Sequence, residues 1–105
     1  MTLPTPPPGG PLVSLDVLST ILHEPARWMV FRELAKGEPL PVQELARRAG
    51  KSPAVMSKHM RMIRRAGLAV TGYGRLYRLA PGVRVDVEAR VIDLGHCLLR
   101  LDTPF

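Results

Sequence analysis

The stretch from Ser52 to Leu68, SPAVMSKHMRMIRRAGL, carries Lys58, Arg61, Arg64 and Arg65 and not one carboxylate. Like charges three or four residues apart on a helix repel, so a surface helix usually mixes signs. A row of cations fixed on one face suits one task well, the neutralisation of successive phosphates. The segregation extends beyond this stretch. All nine acidic residues fall at or before Glu44 or at or after Asp86, and between them lie Arg47, Arg48, Lys51, Lys58, Arg61, Arg64, Arg65, Arg75, Arg78 and Arg84. The flanks are net acidic, the middle is wholly basic, and the net charge is +6. A solvated basic face is the bland alternative, but this degree of sorting favours a polyanionic partner.

Catalysis has little to stand on. No nucleophile–base pair, phosphate-binding glycine loop or carboxylate pair occurs at a useful spacing, and His23, His59 and His96 lie in separate segments. The expectation is a binding protein with no cofactor and no resident metal. His96 and Cys97 are adjacent, and neighbours on a strand face opposite ways, so they make a poor ligand pair. A single cysteine cannot form an internal disulfide, which agrees with a reducing compartment. No apolar run approaches membrane-spanning length and no secretion signal opens the chain, so the expected location is cytoplasmic, on the nucleoid.

The elements that must position the basic row can be read from caps and periodicity. Residues 1–12, MTLPTPPPGGPL, suit a mobile extended arm. From Ser14 as N-cap, Val17, Leu18, Ile21 and Leu22 recur at helical spacing. Pro25 sits in the first turn of EPARWMVFRELAKG, with Gly37 as the expected stop. PVQELARRAG is a shorter helix closed by Gly50, with Leu45, Ala46 and Ala49 as its buried edge. Ser52 caps the next helix, Pro53 is its first residue and Gly67 closes it. LAVTGYGRLYRLAP reads as a hairpin tipped by Gly72, Tyr73 and Gly74.

At about 100° per residue, Met56, Met60 and Ile63 share one side of the basic helix, and Ala54, Lys58, Arg61 and Arg65 share the other. A short helix, a tight turn and a helix that is apolar inside and basic outside make a helix-turn-helix, with the hairpin as its wing. The fold expected is α+β: a winged helix-turn-helix of three to four helices over 13–80, and an additional strand in 81–105. The small residues at the start of the basic helix would admit close approach to base edges, which nominates Pro53, Ala54, Ser57 and Lys58. Arg47, Lys51, Ser52, Arg61, Arg64 and Arg65 would follow the phosphates, and Arg75 at the wing tip would reach flanking DNA. His59, about 60° from the centre of the packing face, would either meet a phosphate or pack and hydrogen-bond. The methionines are expected to pack rather than ligate.

Residues Leu18 to Pro81 resemble the winged-helix domain of the ArsR/SmtB repressors. LSTILHEPARWMVFREL is similar to that family's first-helix signature around Pro-x-Arg, SKHMRMIRRAGL to its recognition helix with Ser-x-His, and GRLYRLAP to its second wing strand. The resemblance implies a homodimeric regulator of transcription bound to double-stranded DNA, often a repressor released by an effector. Two departures stand out. The cysteine pair of metal-sensing members is missing from PLPVQELA, and a C-terminal sensor helix has no counterpart. GVRVDVEARVIDLGHCLLRLDTPF favours strand, bent at Gly95, pairing with its own domain or a partner subunit.

Trp28, Met29 and Phe31 give their helix more apolar circumference than one core needs. A dimer surface is the preferred explanation, involving Leu18, Ile21, Leu22, Trp28, Val91, Leu94 and Leu98. Three functions compete: a sequence-specific regulator, an architectural DNA binder with little preference, and a winged helix used for protein contacts. The sequence names no effector.

Overall fold

The computed structural model describes residues 13–95 and 97–102, so the proline-rich arm 1–12 and His96 lie outside the described residues. Four helices come first: α1 Leu15–Leu22, α2 Pro25–Leu34, α3 Val42–Ala49 and α4 Pro53–Arg65. Their starts follow local chemistry. Ser14 Oγ accepts the Val17 amide at 3.2 Å, and Ser52 Oγ accepts the Val55 amide at 3.2 Å, each satisfying a donor that a helix leaves unpaired. Pro25 and Pro53 occupy the first helical positions, where the absent N–H is not missed. The α2 helix ends two to three residues before the expected stop, with Ala35 as C-cap; Gly37 lies in the turn beyond it. Gly50 closes α3 at φ 66°, a left-handed conformation that a side chain would resist, and so turns the chain into α4.

The apolar faces converge on one core. Val30 and Phe31 of α2, Leu45 of α3, and Met56, Met60 and Ile63 of α4 are completely buried, which fixes how α4 is rotated. The wing follows as β1 Ala69–Thr71 paired antiparallel with β2 Tyr77–Leu79, with Val70 opposite Arg78. Leu40, between α2 and α3, forms a one-residue bridge to Tyr77 through hydrogen bonds of 3.0 and 2.7 Å, which ties the base of the wing to the helices.

Residues after Pro81 keep their expected strand character but divide it among three strands. Strands β3 Arg84–Asp86, β4 Val91–Asp93 and β5 Leu98–Arg100 form an antiparallel meander in that order. Gly95, at φ 92°, lies within the β4–β5 turn rather than bending a single strand. Val85, Ile92 and Leu99 stand opposite one another across the sheet, and buried Ile92 and Leu94 join the same hydrophobic cluster as the helices. None of the described helices is long and apolar enough to cross a membrane.

Candidate nucleic-acid interface

With Met56, Met60 and Ile63 turned into the core, the opposite side of α4 faces solvent. Pro53, Ala54, Lys58, Arg61, Arg64 and Arg65 are all exposed, and so is Lys51 in the turn before the helix. No described carboxylate pairs with Lys51, Lys58, Arg61, Arg64 or Arg65. These five cations are therefore fully available to a ligand. The uncapped hydroxyl proton of Ser52 remains free to donate, because its oxygen serves the helix as acceptor. Ser57 sits half-buried on the edge of α4 nearest Arg64.

Arg47, expected to follow the phosphates, is exposed but carries an ion pair within α3. Glu44 lies one helical turn earlier, and it accepts from Arg47 Nε and Arg48 Nε, each at 2.9 Å. Arg48 also faces Glu33 of α2 at 3.8 Å. The two arginines together hold the Glu44 carboxyl at about 2, well below its ordinary range, and Glu44 in turn raises the Arg47 pKa. The acid-free segment in the sequence is thus not an acid-free surface, since the last residue outside it reaches two arginines within it.

His59 is half-buried and makes an inward hydrogen bond. Its Nδ1 lies 3.0 Å from Nη1 of Arg27, and a guanidinium has only donors, so Nδ1 must be the unprotonated acceptor. Arg27 is itself nearly buried; Nε donates to the Ile21 carbonyl at 2.7 Å and Nη2 to the Thr20 carbonyl at 3.0 Å. A cation at the C-terminal end of α1 meets the negative end of that helix, which offsets its burial. Burial lowers the His59 pKa first, and the positive charges of Arg27 and Lys51 lower it further against an opposing effect of Glu24. One arginine therefore joins α1, α2 and α4 behind the basic face. The sequence signalled only that Arg27 followed a proline at a helix start.

At the wing tip, Arg75 adopts φ 59° next to Gly74 at φ 75°. Arg75 is exposed, and Tyr73 beside it is completely so. Tyr73 was not nominated from sequence, and neither was Val55, an exposed apolar residue in the first turn of α4. A hairpin tip built of Gly, Tyr and Gly gave the available signal for the first. Met62 is exposed as well, unlike Met56 and Met60, so it does not belong to the packed face.

The nominated dimer residues divide. Leu18, Ile21 and Leu94 are 3, 1 and 0 % exposed within the chain itself, so they have no surface left to offer a second copy, which corrects that expectation for these three. Leu22, Trp28 and Val91 are half-buried, and Leu98 is exposed. Phe31 is likewise spent on the chain's own core. Burial and the nearby Asp93 push the Cys97 thiol up, which keeps it protonated and slow to react.

The four helices, the turn at Gly50, the outward basic face of α4 and the hairpin define a winged helix-turn-helix. Residues 21–72, just under half of the chain, match the family of helix-turn-helix domains. This span runs from the end of α1 to the first wing strand and includes every residue of α4, which supports a DNA-binding domain. Comparison with curated proteins and with solved structures gave no match.

Proposed function

We propose that the protein is a homodimeric, sequence-specific transcriptional regulator, a repressor of the ArsR/SmtB type without the metal site. The observation that carries this reading is the division of α4, with three residues wholly buried on one side and Lys58, Arg61 and Arg65 unpaired on the other. In this reading α4 lies in the major groove. Ala54 and Val55 approach base edges, an exposed valine suiting a thymine methyl, and Lys58 donates to guanine. Ser52, Lys51, Arg61, Arg64 and Arg65 hold phosphates, while Tyr73 and Arg75 reach the flanking duplex. A dimer would use exposed Leu15 and Val17 of α1 with half-buried Leu22 and Trp28. Its two recognition helices would meet half-sites about one duplex turn apart.

One observation favours a second reading, architectural binding with little sequence preference: α4 has no amide side chain, so with its arginines on phosphates direct readout rests on Ser57, Lys58 and apolar contacts. Selection of bound duplexes from a random library at near-physiological salt separates the two. An enriched two-fold motif supports the regulator. Tight binding without enrichment would replace it with the architectural protein, and absence of binding would overturn both.

A further inference from the structure

On the side of α2 away from α4, a cavity of about 460 Å³ opens between the helix and the turn joining β3 to β4. That volume suits a small organic molecule. Met29, Val87 and Leu101 supply apolar wall, and Arg32 and Arg90 bring two guanidinium groups to the same space. The two acidic groups around it differ in their partners. Asp86 Oδ1 accepts the Ala89 amide at 2.9 Å, and Glu33 pairs with Lys36 and Arg48. No described carboxylate or carbonyl is bonded to the Arg32 or Arg90 side chain. The lining thus carries three cations, Arg32, Lys36 and Arg90, against two carboxylates, and Arg32 and Arg90 are the two without a described carboxylate partner. Arg90 also holds φ 55°, a conformation uncommon for a residue with a side chain and one that persists where the surroundings impose it.

We propose that this cavity binds a small organic acid, its carboxylate held by Arg32 and Arg90 and its apolar body resting on Met29, Val87 and Leu101. Guanidinium groups match a carboxylate through charge-assisted hydrogen bonds, and they disfavour the neutral amide of the same shape. The site uses no residue of the basic face. Where the regulator reading holds, this is the place at which an effector would act, but ligand binding here stands or falls without DNA.

The test is a titration of the isotope-labelled full chain with benzoate and hexanoate, followed by amide NMR, with benzamide as the neutral partner of benzoate. Saturable shifts centred on Met29, Arg32, Val87, Arg90 and Leu101 are expected, with benzamide at least about tenfold weaker. Arg32→Ala and Arg90→Asn should each weaken benzoate about tenfold, asparagine being chosen because it tolerates positive φ. Arg84→Ala, on the same sheet but outside the cavity, should leave binding unchanged. Equal binding of acid and amide, shifts centred on Lys58 and Arg61 of α4, indifference to both substitutions, or no saturable shift with either acid would each overturn the proposal. Because no DNA is present, none of these outcomes bears on the reading of α4.

Discussion

Arg27 Nη1 and His59 Nδ1 stand 3.0 Å apart, and with the Arg27 bonds to the Thr20 and Ile21 carbonyls the pair connects α4 to α2 and α1. The bond requires a neutral imidazole. Protonation would remove the acceptor and set two cations against each other.

Acid should therefore loosen this junction. The folded pKa of His59 lies below its ordinary 6.5, so the unfolded chain takes up the proton first as pH falls. Stability is full above about pH 6.5, declines below it, and levels off once the folded form is protonated too. Urea midpoints between about pH 7.5 and about pH 5 should show this slope in the parent and lose much of it in His59→Gln, whose amide oxygen can still accept from Arg27. The same slope in both proteins would rule out His59 as its source.

Glu44 restrains two arginines beside the basic face. Glu44→Gln should free Arg47, while Arg48 keeps Glu33, and so tighten DNA binding and steepen its salt dependence by about one phosphate contact. Fluorescence anisotropy across a salt series measures both. Weaker binding would mean that the ion pairs hold α3 in place rather than withhold charge.

Arg61 and Arg65 should differ in kind from Lys58. The double change Arg61→Ala, Arg65→Ala should weaken all sequences and reduce the salt slope by roughly two phosphates, with the fold intact by circular dichroism. Lys58→Ala should instead shift preference at one base position in each half-site, costing about 1–3 kcal/mol there. A uniform loss across all sites would place Lys58 among the phosphate ligands.

Ile92 tests whether the meander belongs to the body. Ile92→Ala removes a completely buried side chain from the cluster shared with the helices, so it should cost about 2–5 kcal/mol in one cooperative transition. A separate early transition, with the helices untouched, would make the meander an independent unit.

The helices and wing were legible because their determinants are local. Ser14, Pro25, Gly50, Ser52 and Pro53 act through their own backbone neighbours, and the rotation of α4 follows from the spacing of Met56, Met60 and Ile63. The basic face was legible for the same reason. The bond between Arg27 and His59 was not, since 32 residues separate the partners and no local rule brings them together. The Glu44 ion pairs with Arg47 and Arg48 were not legible from charge by segment, because Glu44 acts across the edge of the acid-free stretch. The meander kept its strand composition in sequence but hid its turns, because Val87–Arg90 lacks glycine and proline and relies on the Asp86 side chain and on Arg90 at positive φ.

The backbone bridge between Leu40 and Tyr77 holds the base of the wing against the helices, and so limits how far the wing can swing relative to α4. If α4 and the wing engage one duplex as proposed, duplexes with the same bases but different groove widths would meet the helix and Tyr73 unequally, and contour would join base sequence in setting affinity.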